Sequence, residues 1–219
     1  MSTNIKSTEL ATLELYRVSL ENSLAHEKIA ATMDEYGYDA TQIGQGKTLY
    51  VAARAAYDSN KTESDEEMVA YKAFDAKKAE LQKIYSEHRK KAKVAFRNDA
   101  LTAERLLITG TLPKAYLNWL QTVRKFYEIA LAETEIQDKL KTLKIDQPKL
   151  AAAQALIPEM EALRNDYLVE KGESQDATQA KDAAFARIDK WMGDFYAVAK
   201  IAMAEQPQLL EVLGLTVKR

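Results

Sequence analysis

The segment Gly44–Thr48, with the sequence GQGKT, contains the residue types of a phosphate-binding loop. In such a loop backbone N–H groups surround the phosphate, the lysine balances its charge and the hydroxyl side chain binds Mg²⁺. The motif also needs a glycine where this chain has Thr41, and residues 33–40 do not have the pattern of the buried strand that should precede it. We therefore predict no nucleotide site, and we expect Gly46 to let a neighbouring helix approach closely.

The two histidines, His26 and His88, are the candidate metal ligands in a chain that has no cysteine. Di-iron helical bundles use the pattern Glu-x-x-His, and neither histidine has a glutamate three residues before it. We therefore predict no metal site and no cofactor, and we expect His88 to be a core or half-core residue. No order of Ser, His and Asp suggests a nucleophile, so no catalytic residue is assigned and we expect the protein not to be an enzyme.

The densest basic stretch is residues 88–97, with the sequence HRKKAKVAFR. Two interpretations are open. Arg89, Lys90 and Arg97 contact an anion or an acidic partner, or they form a solvated helix end whose cations suit the C-terminal dipole. We favour the solvated end. The segment 107 residues further along keeps a single basic residue, Lys200, so the first half of the chain has gained charge here or the second half has lost it.

Arg17 and Arg124 lie within apolar stripes, and each has a glutamate four residues later, Glu21 and Glu128. Three arrangements are possible. The pairs are buried, where an unpaired charge would be very costly. They are ordinary surface pairs one helical turn apart. Or both arginines face a shared cleft that binds an anion, together with the tyrosines Tyr16, Tyr36, Tyr38 and Tyr127.

The composition predicts an all-α protein. The chain has 219 residues, 47% of them hydrophobic and 29% charged, with only seven Gly and four Pro to interrupt helices. The net charge of −2 gives no basic field for nucleic acid. No apolar run approaches the ~18 residues that cross a bilayer, and the polar N-terminus lacks the apolar core of a signal peptide. We expect a cytoplasmic protein that binds neither nucleic acid nor membrane.

The two halves of the chain align without a gap when residue i is compared with residue i + 107. Identical pairs include Leu10/Leu117, Leu13/Leu120, Arg17/Arg124, Glu21/Glu128, Leu24/Leu131, Ile29/Ile136, Ala76/Ala183, Lys83/Lys190 and Lys93/Lys200. The pattern predicts a tandem duplication of a helical unit. We place repeat 1 at residues 1–110 and repeat 2 at 111–219, as two bundles packed side by side with pseudo-two-fold symmetry, and one combined domain remains an alternative.

Each repeat is predicted to hold three long helices and a short fourth. In repeat 1 they cover residues 7–36, 40–60, 66–97 and 99–110, with the polar stretch SNKTES separating the second from the third. Asp39 and its counterpart Asp146 stand where N-cap residues belong.

The apolar stripes need partner helices, and the long helices offer large surfaces with few loops to hold a catalytic site. We therefore expect a non-catalytic helical interaction or structural protein, whose partner is another protein or a second copy of the chain. The alternative is a small-molecule- or anion-binding bundle, or an enzyme, with a pocket between the repeats that includes Arg17 and Arg124.

Overall fold

The computed structural model describes residues 8–217, and every regular element in that range is an α-helix. The all-α prediction is therefore confirmed. The helices are α1 (Glu9–Ala25), α2 (Glu27–Glu35), α3 (Ala40–Ala95), α4 (Ala100–Arg105), α5 (Tyr116–Ala132), α6 (Thr134–Lys141), α7 (Gln147–Ala202) and α8 (Leu209–Val212). Within the described range, no helix carries an apolar stretch that could cross a membrane. The polar N-terminus at residues 1–7 lies outside the described residues.

The helix predicted over residues 7–36 is divided into α1 and α2 at His26. This residue has an extended backbone, with φ −95° and ψ 102°. Its Nδ1 accepts a hydrogen bond from the backbone N–H of Ile29 at 3.4 Å, so the imidazole is the N-cap of α2. The sequence did not reveal this break because Ser, Thr, Asp and Asn are the usual N-cap residues. Ser7, the predicted start, lies outside the described residues.

The loop predicted at SNKTES is wrong, because α3 runs through it as one helix of 56 residues. The hydroxyl groups of this stretch bond backwards along the helix. Thr62 donates to the carbonyl of Asp58 at 3.2 Å, and Ser64 donates to the carbonyl of Asn60 at 2.8 Å. Side chains that could end a helix are thereby satisfied within it. Helix α7 also has 56 residues, and it contains Pro158.

Aspartate N-caps begin both long helices, as predicted. An Oδ1 atom of Asp39 accepts from the backbone N–H of Gln42 at 2.8 Å. Asp146 accepts in the same way from the N–H of Lys149 at 3.1 Å, and Pro148 follows at the second position of α7. Proline is tolerated there because the first N–H groups of a helix have no partner within it.

Helix boundaries recur at the spacing of 107 residues. Helices α3 and α7 begin at positions 40 and 147 and end at 95 and 202, and α1 and α5 begin at 9 and 116. The left-handed backbone positions recur as well: Gly37 (φ 84°) corresponds to Lys144 (φ 65°), and Leu107 (φ 54°) corresponds to Gly214 (φ 76°). The described residues of the two halves therefore have the same order of helices and share these two left-handed positions, whereas Gly110 (φ 62°) has no left-handed counterpart at Val217.

The described chain forms two compact units that differ from the two sequence repeats. Compact unit 1 consists of residues 8–65 and 172–217, and compact unit 2 of residues 66–171. The repeats were placed at 1–110 and 111–219, so each compact unit combines parts of both. The reason is the continuity of α3 and α7, each of which contributes one portion to each compact unit.

Each compact unit has its own apolar core. In compact unit 1 the core is formed by Leu13, Leu20, Ile29, Met33, Ile43, Ala53, Ile188, Met192, Phe195 and Leu213. In compact unit 2 it is formed by Leu81, Tyr85, Phe96, Trp119, Val123, Phe126, Tyr127, Ile136, Leu140, Leu150 and Met160. Of the apolar residues that recur at helical spacing between positions 10 and 36, Leu10, Leu24 and Tyr36 are exposed, and those that are buried are Leu13, Leu20, Ile29 and Met33.

Candidate functional site

The segment Gly44–Thr48 is the interior of helix α3 and forms no loop. The hydroxyl of Thr48 donates to the carbonyl of Gly44 at 3.0 Å, one turn back. A Cβ atom on Gly46 would lie 2.5–2.8 Å from three carbon atoms of the Trp191 indole. The close approach predicted at Gly46 is thus confirmed, but the group that approaches is the Trp191 side chain and not a helix backbone.

Arg17 and Arg124 form partly exposed ion pairs, so a buried pair is wrong for both. Two nitrogens of Arg17 bind both carboxylate oxygens of Glu14, at 2.8 and 2.6 Å, and a third binds Glu21 at 2.6 Å. These hydrogen bonds raise the pKa of Arg17, with Glu14 as the main cause. Arg124 binds Glu161 at 2.6 Å and not the predicted Glu128, and the two arginine side chains are 39% and 45% exposed.

The tyrosines expected around an anion cleft have separate environments. The Tyr16 hydroxyl donates to Asp189 at 2.8 Å, and Tyr36 is exposed. Tyr38 packs edge-on against Trp191 and Phe195 in compact unit 1. Tyr127 is fully buried in the core of compact unit 2.

The basic stretch is partly engaged with the loop that follows α4. Arg89 donates to the carbonyls of Thr109 and Gly110, at 3.1 and 3.0 Å. Lys90 and Arg97 are exposed. Arg89 therefore bonds to the segment that joins the two repeats. The exposure of Lys90 and Arg97 is compatible both with a solvated helix end and with a contact to an anion or an acidic partner.

His88 is a core residue, as predicted. It is 6% exposed, and its Nδ1 lies 3.1 Å from the Tyr127 hydroxyl. Burial lowers the pKa of His88 and raises the pKa of Tyr127, so both side chains are neutral at pH 7. The hydrogen bond is therefore one between two neutral groups in an otherwise apolar core.

A groove of about 560 Å³, here called the basic groove, lies within compact unit 2 between α3 and the first part of α7. Its apolar lining consists of Ile84, Ala152, Ala153 and Leu156, with His88 beside them. Its charged residues are Glu80, Glu87, Lys91, Lys144 and Lys149. Residues from both sequence repeats meet here, in a place that the expected pocket around Arg17 and Arg124 did not include.

The charges of the basic groove are unequally paired. Lys91 binds Glu87 at 2.6 Å, and this hydrogen bond lowers the pKa of Glu87. Lys149 lies 3.6 Å from Asp146, and its ammonium donates to the carbonyl of Lys144 at 2.9 Å. Lys149 and Lys144 therefore lie at the same corner of the groove.

Compact unit 1 has an aromatic cluster at the positions equivalent to the basic groove. Ile84 corresponds to Trp191, and Ala153 to Gly46. The Trp191 ring lies against Gly46 and stacks on Phe195, with ring centroids 5.5 Å apart and planes within 11°. The indole thus occupies the place that is open in compact unit 2.

Sequence reasoning missed the basic groove because its two sides are about sixty residues apart in the chain. A signal was available in the comparison of the repeats. Trp191 corresponds to Ile84, which is much smaller, and Gly46 corresponds to Ala153. No known protein family, curated protein or solved structure matches this chain.

Proposed function

We propose that the protein is a non-catalytic interaction protein built by tandem duplication, and that it associates with a second copy of itself through compact unit 2. The absence of cysteine fits the reducing conditions of the cytoplasm, where we propose that it acts. The observation that carries the proposal is a set of exposed apolar side chains, here called the apolar end: Met68, Val69, Tyr71, Leu168 and Val169.

The duplication is supported by features that are independent of residue identity. Helix boundaries repeat at 107 residues, and so do both left-handed positions occupied by residues other than glycine. Such backbone positions are uncommon, since the left-handed conformation is costly for residues with a Cβ atom. Two matching positions in each half favour a common origin for the halves.

The apolar end lies near the limits of compact unit 2, where α3 and α7 are in contact. The rings of Tyr71 and Tyr167 meet edge-on with centroids 5.4 Å apart. Val69 and Val169 are 69% and 58% exposed. All five residues of the apolar end lie within three positions of this contact along α3 or α7. Exposed apolar side chains are typical of protein interfaces, because their burial against a partner is favourable.

The helices do not require apolar residues at these places. The equivalent positions in compact unit 1 are polar and also exposed: Lys61, Thr62, Gln175, Asp176 and Thr178. A structural role for Val69 or Leu168 would apply equally to Asp176 or Lys61. The difference between the compact units therefore supports a binding role for the apolar end.

A second copy suits this surface because its neighbouring charges are of both signs. Lys72 and Lys171 lie near the apolar end together with Glu67 and Asp166. In a two-fold dimer the same surface faces itself, so a rim of one sign would repel, whereas a mixed rim can pair.

The test is sedimentation equilibrium over a wide range of protein concentration. We expect the natural chain to dimerise, and Val69→Asp with Leu168→Lys to weaken the dimer at least about tenfold. These substitutions introduce the residues that compact unit 1 has at the same positions, so the helical circular dichroism should be unchanged. The matched control, Lys61→Gln with Asp176→Asn, should dimerise like the natural chain. A natural chain that stays monomeric, or a double variant that dimerises equally well, would overturn the proposal.

A further inference from the structure

We propose that the basic groove of compact unit 2 binds a small organic anion with an apolar body, the carboxylate lying near Lys144 and Lys149 and the body lying on the apolar lining. This inference is independent of the proposed dimer, because the groove and the apolar end have no residue in common.

The size and lining of the groove suit such a ligand. Small-molecule sites are concave and mostly apolar, with volumes of roughly 300–1,000 Å³, and a few polar groups set the orientation of the ligand. The basic groove has about 560 Å³, with Ile84, Ala152, Ala153 and Leu156 as its apolar lining. A chain of several carbons or an aromatic ring would be in contact with these four side chains.

The charges of the groove favour an anion. Glu87 is bound by Lys91, and Glu80 is bound by Lys77 at 3.0 Å, so both lining carboxylates already have cations. Lys149 donates to the neutral backbone carbonyl of Lys144 at 2.9 Å, and its carboxylate partner, Asp146, lies at the longer distance of 3.6 Å, between half-exposed groups. Lys144 and Lys149 therefore leave positive charge at one corner of the groove.

The basic residues are peculiar to this copy of the groove. Lys91, Lys144 and Lys149 correspond to Val198, Gly37 and Gln42 in compact unit 1. The same helices form there with uncharged residues at all three positions, so helix formation does not explain the lysines. These lysines occur in compact unit 2, where Ile84 replaces the indole and the groove is open. Positive charge and open volume therefore occur together in the same unit.

Lys144 adds an observation from the backbone. It has φ 65°, in the left-handed region, where its counterpart Gly37 has φ 84°. Glycine adopts this conformation freely, whereas a residue with a Cβ atom does so at a cost. Lys144 also lines the groove, and a ligand of opposite charge would give a function to a lysine at this costly backbone position.

The first experiment is isothermal titration calorimetry of the whole chain with octanoate. We expect one octanoate per chain, and at least tenfold weaker binding of acetate, which lacks the body, and of octan-1-ol, which lacks the charge. Absence of octanoate binding would overturn the proposal, and so would equal binding of octanoate and octan-1-ol.

The second experiment separates binding from stability. Lys144→Gly should raise the melting temperature, because the backbone strain is relieved, and should weaken octanoate binding at least tenfold. The matched control is Leu107→Gly. Leu107 also has a left-handed backbone (φ 54°) but does not line the groove, so its replacement should relieve backbone strain and leave octanoate binding unchanged. Unchanged binding by Lys144→Gly would overturn the role of this lysine.

The third experiment closes the groove with the residues of compact unit 1. Ile84→Trp with Ala153→Gly should place an indole where Trp191 lies in the other unit, and octanoate binding should be lost while the helical circular dichroism is kept. If this variant does not fold, Lys149→Gln is used instead and should weaken octanoate binding at least tenfold. Glutamine is accepted at this place, because Gln42 occupies the equivalent position in the first turn of α3. Full binding by the folded variant would place the ligand elsewhere and overturn the proposal.

Discussion

Replacing Gly46 by alanine should destabilise compact unit 1, although alanine is the better helix former. In the interior of α3 the change to alanine alone would stabilise the helix by about 1 kcal/mol. The new Cβ atom would lie 2.5–2.8 Å from three atoms of the Trp191 indole, which is held by Phe195 and Tyr38. Overpacking of this kind costs about 1–3 kcal/mol, so the net loss in free energy of unfolding should be between zero and about 2 kcal/mol.

The matched control is Gly44→Ala, two residues earlier in the same helix. A Cβ atom on Gly44 meets nothing within 4 Å, so this variant should be about 1 kcal/mol more stable than the natural chain. The assay is urea unfolding followed by circular dichroism and by tryptophan fluorescence. In a Trp191→Ile background, which copies Ile84, Gly46→Ala should become stabilising as well. Equal effects of Gly44→Ala and Gly46→Ala in the natural chain would refute the close contact.

Three further changes test the buried histidine, the surface ion pairs and the glycine-rich segment. Burial lowers the pKa of His88, so the stability that its neutral form contributes is complete above the unfolded pKa of about 6.5 and is lost as the pH falls toward the folded pKa. Between pH values of about 7.5 and 5, His88→Phe should therefore lose less free energy of unfolding than the natural chain. Equal losses in the two proteins would show that His88 is not the source of this pH dependence. Arg17→Met and Glu21→Gln should each leave the melting temperature nearly unchanged, as expected for exposed pairs, and a large drop with either would restore the buried arrangement. Lys47→Ala should change the free energy of unfolding by less than about 0.5 kcal/mol, and ATP should not raise the melting temperature of the natural chain.

Features set by neighbouring residues could be predicted from the sequence. The N-caps Asp39 and Asp146 were found because a capping side chain bonds to an N–H only three residues away. The break at His26 and the continuity of α3 were missed for related reasons. Imidazole is an unusual cap, and the hydroxyl groups of Thr62 and Ser64 bond within the helix instead of ending it.

Features that depend on which helix faces which could not be predicted. The basic groove requires residues 80–91 and 144–156 to be adjacent, and periodicity does not identify the partner of an apolar stripe. Arg17 was ambiguous for the same reason: its spacing fits a core position, but Glu14 and Glu21 hold the guanidinium at the helix surface. Glu161, the partner of Arg124, is thirty-seven residues away and had no sequence signal.

The unbroken helices α3 and α7 set an order in which the cores become complete during synthesis. Compact unit 2 is one continuous stretch of chain, 66–171, so all its core residues are available before the last part of the protein is made. Compact unit 1 needs residues from both ends of the chain, and Leu13 and Leu20 must wait for Phe195 and Leu213. Since chains emerge from the N-terminus, the segment made first reaches its native partners last. A chain ending at residue 110 would hold part of each core and the whole of neither.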